Sequence, residues 1–328
     1  MSPENISINF SPGQWFTEPS RINTLTEYPL FINNLTTTFP ITPDAPVTAT
    51  FLLFIFTLYN TSVTKFLNEI KLISHWRELL WQMVGREIKA RYKQSILGYF
   101  WVIVNPLAQM LVMSFAFSLI LRIPTNASAH IPYSIFLFTA LLPWNLFSTS
   151  LISSCNSLVN SSTLITKVYF PRTIMVLAAI ISKLVDFLFA MSILVVYMII
   201  YQIPINLNIL WAIPIFLLQQ IFTFGLALFL SAANLLYRDI QYLLNLILVL
   251  WMYATPVIYP MDLVPSQYKL IFQLNPMAVI INAYRQTILG GGLPNFTSLS
   301  IAFILSLITL HLGLSYFKSR EKIFAENI

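Results

Sequence analysis

Between Asp186 and Arg238 the chain runs for 51 residues without a charged side chain. Shorter charge-free stretches lie between Lys93 and Arg122 (28 residues), Arg122 and Lys167 (44), Asp239 and Asp262 (22), and Arg285 and Lys318 (32). A helix needs roughly 20 apolar residues to cross a bilayer core. The two longest stretches can therefore hold more than one crossing, divided by flank and turn residues. Charged residues make up 9% of the chain and hydrophobic ones 57%, against about 25% charged in a soluble domain. The fold class this dictates is an all-α integral membrane protein with about six transmembrane helices.

The crossings are predicted at residues 99–121, with Pro106 as a kink, and at 133–153, 184–203, 209–235, 242–259 and 299–317. Residues 65–95 read as an amphipathic helix in the membrane interface. Phe66, Ile70, Ile73, Leu80, Val84 and Ile88 recur at three- and four-residue steps, and Arg86, Lys89, Arg91 and Lys93 supply cationic heads. Residues 1–64 are rich in Thr, Asn, Pro and Ser and are expected to be poorly ordered. The six-span domain is placed at 96–318 and a charged tail at 319–328.

Sidedness follows from the basic residues. With the N-terminus in the cytoplasm, that side carries 14 Lys and Arg of the loops and the other side three, Arg122, Lys269 and Arg285. This is a positive-inside pattern that puts both termini in the cytoplasm and requires an even number of spans. Residues 260–297, broken by Pro260, Pro265, Pro276 and Pro294, then form an external excursion. A pair of short re-entrant helices is expected there, before the last span. Irregular backbone at that depth is tolerated only inside protein or beside a wet cavity, so Pro256, Pro260, Asn275, Pro276 and Arg285 are candidate gate residues.

Several chemistries are excluded. Positive charge beside apolar spans reads as topology signalling and contact with anionic headgroups, not as a nucleic-acid site. No GxxxxGK[ST] phosphate loop occurs, so any ATP must be bound by another chain. His75, His130 and His311 have no metal-ligand spacing. The lone Cys155 has no internal partner for a disulfide. Asp186 is the sole acid near the start of a span, and Lys183 lies three residues earlier within pairing reach. A proton-driven transporter would need titratable groups near the midplane, and the other spans offer none. A membrane transferase should show a His or paired acids at a membrane face, which are absent here. Arg238-Asp239, in a tight link between two spans, can cap two helix ends and act as a hinge at the cytoplasmic mouth.

The stretches Trp76-Arg77-Glu78-Leu79-Leu80-Trp81, Arg86-Glu87-Ile88-Lys89-Ala90-Arg91-Tyr92-Lys93-Gln94-Ser95, Leu97-Gly98, Leu141-Leu142-Pro143-Trp144-Asn145, Lys167-Val168-Tyr169-Phe170-Pro171-Arg172, Tyr237-Arg238-Asp239, Pro256-Val257-Ile258-Tyr259-Pro260, Asn275-Pro276 and Tyr284-Arg285 resemble the permease subunits of ABC-type polysaccharide exporters. The likeness covers roughly residues 70–320, and residues 1–65 depart from it. It implies a homodimer in the bacterial cytoplasmic (inner) membrane, working with a separate ATPase subunit. ATP and magnesium would sit on that partner, with no cofactor and no catalysis in this chain. A lipid-linked glycan of the O-antigen, capsule or teichoic-acid type would be the substrate. The rival substrate class is a drug or small lipid.

The resemblance also implies that Lys167, Val168, Tyr169, Phe170, Pro171 and Arg172 form a coupling element seated on the ATPase. Apolar sugar faces stack on aromatic rings, so Trp144, Phe147, Tyr253 and Tyr259 are expected at a glycan channel or its mouth. Their alternative is the interfacial aromatic belt.

Overall fold

The computed structural model describes Lys71 and residues 74–92, 98–120, 131–204, 206–290 and 292–324. Residues 1–64, Phe66, Ile70, Ile73, Lys93, Arg122 and His130 lie outside them. Among the described residues every regular element is helical. The α-helices are α1 (Arg77–Tyr92), α2 (Trp101–Ser114), α3 (Tyr133–Ser157), α4 (Ser162–Lys167), α5 (Thr173–Ile200), α6 (Ala212–Leu236), α7 (Ile240–Tyr253), α8 (Lys269–Gln273), α9 (Pro276–Ile288) and α10 (Phe296–Arg320).

Four helical stretches, Tyr133–Ser157, Thr173–Ile200, Leu207–Leu236 and Phe296–Ile323, are long and apolar enough to cross a membrane. Two shorter apolar helices, Trp101–Phe117 and Ile240–Tyr253, accompany them. At about 1.5 Å per residue, the 14 residues of α7 extend only some 21 Å. The irregular segment after Tyr253 must supply the rest of any crossing there. Beyond Ser114 the first apolar helix widens into a π-helical stretch, Phe115–Ile120.

Three helices form the centre. The buried face of α3 packs against α5 and α6, and α6 packs closely on α10. The α6–α10 crossing is close because glycines meet. A Cβ on Gly313 would lie 2.0 Å from the Gly225 carbonyl oxygen, and one on Gly225 would lie 2.6 Å from Leu310 N. Small residues at such crossings let backbones approach where no hydrophobic drive separates helix from lipid. A buried side-chain amide adds a polar tie, since Gln219 of α6 donates to the Pro143 carbonyl of α3 at 2.8 Å.

Two sequence expectations change here. The third span is predicted from residue 184, but α5 starts at Thr173. Ile174, Met175, Val176 and Ala178 are buried, so this first stretch is packed helix rather than loop, and Lys183 lies inside the helix. The second concerns Asp186, which besides lying within reach of Lys183 ion-pairs with Arg91 of α1. Arg91 also donates to Ser182 at 3.2 Å. Helix α1 sets Leu80, Met83 and Val84, at helical spacing on one face, against Ile174 and Ala178. Its apolar face is thus used against α5, and Arg86 reaches Ser161 at 2.8 Å. Lys89 and Trp81 remain exposed.

Candidate functional site

The five predicted gate residues converge around the turn that follows α7. Arg285, on α9, is 7% exposed. Its Nη1 donates to the carbonyls of Pro256 at 2.6 Å and Tyr259 at 3.2 Å. Nη2 donates to Val257 O at 2.5 Å and Nε to Phe136 O at 3.4 Å. The Phe136 ring lies beneath the guanidinium, 3.7 Å from Cζ to centroid. A guanidinium has five donors in a rigid fork, and here carbonyl dipoles and a ring face take the place of a carboxylate. Such contacts are what makes a buried charge tolerable. The Tyr133 hydroxyl donates to Ile258 O at 2.7 Å. Four consecutive carbonyls, residues 256–259, are therefore fixed by side chains instead of by helix bonds.

Asn275 holds the other side of this node. Its Oδ1 accepts from Met277 N at 3.1 Å and caps α9, with Pro276 in the first turn. Asn caps and a proline at the first helical position both suit a helix start. The same oxygen accepts from Trp251 Nε1 at 3.2 Å, and Asn275 Nδ2 donates to Thr255 Oγ1 at 3.0 Å. Pro260 continues the turn and its carbonyl accepts from Leu263 N at 3.2 Å. The arrangement clamps an irregular backbone at the end of an apolar helix.

The aromatic residues divide. Trp144 and Phe147 are 3% and 0% exposed. Phe147 stacks on Phe222 at 5.6 Å, and Trp251 meets Trp144 and Phe147 edge-on at 6.4 and 5.3 Å. Within this chain they are core packing under the Asn275 node, with no open face for a channel, which corrects the lining expectation for these two. Tyr253 is 56% exposed. Tyr259, partly buried, donates to Tyr253 O at 3.0 Å.

Arg238 and Asp239 are both exposed. Asp239 occupies the N-cap position of α7 but forms no side-chain cap. The amide of Asn234, 1% exposed, does that work instead. Its Oδ1 accepts from Gln241 N at 3.1 Å, and its Nδ2 donates to Cys155 O at 3.0 Å and Asn156 Oδ1 at 3.3 Å. Sequence reasoning missed Asn234, although a carboxamide inside an apolar run was the available signal.

The segment 167–172 stands apart from these nodes. Lys167 ends α4, Val168 is half exposed and Tyr169 is 92% exposed. Phe170 turns inward and is 4% exposed. Pro171 leads into α5, where its carbonyl accepts from Ile174 N at 3.1 Å. Arg172 Nη1 donates to the Glu321 carbonyl at 2.9 Å, and its Cζ lies 6.0 Å from the Phe324 ring centroid. Phe324, fully buried, meets Phe317 edge-on at 5.2 Å. An exposed tyrosine is thus presented on a short loop anchored on both sides. The anchors Glu321 and Phe324 come from the tail, which the sequence reading had treated only as charged.

Among the described residues no three His, Cys, Asp or Glu side chains gather as a metal site. The geometry is that of a multi-helix membrane protein with a clamped turn and a projecting loop. Residues 78–289 match the family described as ABC-2 type transporter, and the chain belongs to that family. It is 34% identical over 251 residues to an O-antigen export system permease protein of Klebsiella pneumoniae, covering 76% of this chain and 94% of that one. A Myxococcus xanthus protein of the same description is 33% identical over 263 residues, 79% and 98% of the two chains. The polysialic acid transport protein KpsM of Escherichia coli is 23% identical over 239 residues, 72% and 91%.

Proposed function

We propose that this chain is the permease subunit of an ATP-driven exporter that moves a lipid-linked polysaccharide across the bacterial cytoplasmic membrane. The observation that carries the reading is identity of 33–34% across nearly the whole length of O-antigen export permeases. In this reading α2 and α7 complete six crossings and both termini are cytoplasmic, as the distribution of basic residues requires. Two copies form the permease, and each engages a separate ATPase that holds ATP and magnesium.

Tyr169, Val168 and Lys167 dock on the ATPase, while Phe170 and Arg172 transmit its movement to α5. Arg238 and Asp239 sit at the cytoplasmic mouth. The turn clamped by Arg285, with α8 and α9, is the external gate. Tyr253, exposed at the end of α7, faces the glycan path near that gate.

Deletion of the gene, with surface glycans read by gel and composition analysis, tests the reading. Loss of one surface polysaccharide, restored by the wild-type gene, is expected. An unchanged glycan profile refutes export. Co-purification from membranes should recover an ATPase in equal proportion.

A further inference from the structure

Helix α1 meets α5 through charges as well as through its apolar face. Glu87 pairs with Arg86 at 3.6 Å, and Asp186 pairs with Arg91. Lys183, partly buried on α5, lines both hollows beside this contact, one shared with Arg91 and Asp186 and the other with Glu87. Among the described residues that line the hollows, together with their ion-pair partners, Arg86, Arg91 and Lys183 stand against Glu87 and Asp186. Each acid is engaged by an arginine. One positive charge is left over on partly buried helix walls, where an uncompensated charge is costly.

The larger hollow, of about 450 Å³, has two kinds of wall. Trp101, Pro106, Leu142, Leu146, Phe187 and Ala190 make it apolar, while Lys183, Asn105 and Gln109 supply N–H donors. Gln109 accepts from Asn145 Nδ2 through its carbonyl oxygen at 3.0 Å, which leaves its own amino group a donor. Trp101 is 42% exposed at the start of α2, the setting of a tryptophan at headgroup level. A free anion would use the cation alone. A phospholipid uses both walls, its phosphate on the donors and an acyl chain on the apolar side. The surplus positive charge favours an anionic headgroup over a zwitterionic one, whose own cation it would repel. Basic pockets between helices on the cytoplasmic side suit such headgroups.

We infer that this hollow seats one anionic phospholipid, with its phosphate held by Lys183, Asn105 and Gln109 and an acyl chain along Trp101, Phe187 and Ala190. The exporter reading enters only through sidedness, which makes the cytoplasmic leaflet the source of the lipid.

The test uses the full chain, purified in detergent with its native partners and stripped of lipid, with bound lipid counted by native mass spectrometry. Phosphatidylglycerol should bind saturably, and phosphatidylcholine about tenfold more weakly or less. Lys183→Gln should weaken phosphatidylglycerol binding by about tenfold, as loss of one charge-assisted contact does. Lys183→Arg should retain it. Lys89→Gln, at an exposed lysine outside the hollow, should leave it unchanged. Asn105→Asp, at an exposed position, sets a carboxylate against the phosphate and should weaken binding as well, so the site stays testable where Lys183→Gln does not fold.

Equal binding of the two lipids, indifference to Lys183→Gln and Asn105→Asp, or an equal loss with Lys89→Gln each overturns the site. Tighter binding of a polyprenyl phosphate overturns it too, because the phosphate would then belong to a carrier lipid. None of these results touches export. An unchanged glycan profile after gene deletion defeats the exporter and leaves the lipid site standing.

Discussion

Arg172 donates to the backbone carbonyl of Glu321 at 2.9 Å, joining the start of α5 to the end of α10. The carbonyl contact carries more weight than the nearby ion pairs. Arg172 is 4.0 Å from the Glu321 carboxylate, and Lys318 reaches it at 3.3 Å from a 40% exposed side chain. Pairs of that kind contribute about 0–1 kcal/mol. Burial of the Phe324 ring, whose truncation typically costs about 3–5 kcal/mol in a core, dominates the join. Phe324→Ala should therefore loosen the loop while leaving the membrane helices folded. In vesicles, ATP hydrolysis should persist and glycan moved per ATP should fall severalfold. An unchanged transport-to-hydrolysis ratio would show that the join transmits nothing.

Tyr169 makes the complementary case. At 92% exposure its side chain contributes almost nothing to the fold. Tyrosine is enriched among residues whose truncation costs 2 kcal/mol or more at interfaces. Tyr169→Ala should keep the wild-type melting temperature and weaken ATPase association by roughly 30-fold or more, read by titration in detergent. Phe170→Ala should instead lower stability, because that ring is buried.

What could be read from the sequence was whatever long apolar runs and flanking charges record. Helices α3, α6 and α10 fall close to the predicted spans because Pro132, Tyr237 and the tail bases punctuate them. The start of α5 was missed because Lys183 looked like a boundary, although its ammonium can sit beside Asp186 and Glu87 in a polar hollow. Pro256, Pro260, Asn275, Pro276 and Arg285 do lie together around one turn, since prolines, a helix cap and an arginine leave local signatures. Trp144 and Phe147 were misplaced because composition cannot tell which side of an apolar helix meets its neighbours. Asn234 and Glu321 act across 78 and 149 residues of chain through Asn156 and Arg172, and such distances leave no local pattern.

Arg285 gives a prediction on the clamped turn. Lysine keeps the charge but has one ammonium in place of a fork, so it cannot serve the carbonyls of Phe136, Pro256, Val257 and Tyr259 together. Each unpaired buried acceptor costs about 1–3 kcal/mol. Arg285→Lys should lower stability by about 2 kcal/mol or more and Arg285→Ala by more still, measured by thermal unfolding in detergent. Faster protease cleavage within residues 254–260 should accompany both. An Arg285→Lys protein with wild-type melting and cleavage would show that the guanidinium does not hold the turn.

The glycine crossing offers the sharpest contrast between neighbouring physical effects. In a soluble helix, replacing an interior glycine by alanine gains up to about 1 kcal/mol from backbone entropy. Gly85 in α1 has no atom within 4 Å of a built Cβ, so Gly85→Ala should be neutral or slightly stabilising. Gly313 in α10 has the same propensity to gain, but its Cβ would sit 2.0 Å from the Gly225 carbonyl oxygen, a backbone atom unable to rotate away. Helices α6 and α10 would have to separate, and overpacking of this kind costs about 1–3 kcal/mol. Gly313→Ala should therefore lower the melting temperature while Gly85→Ala does not. Equal effects from the two substitutions would mean that α6 and α10 do not meet through these glycines.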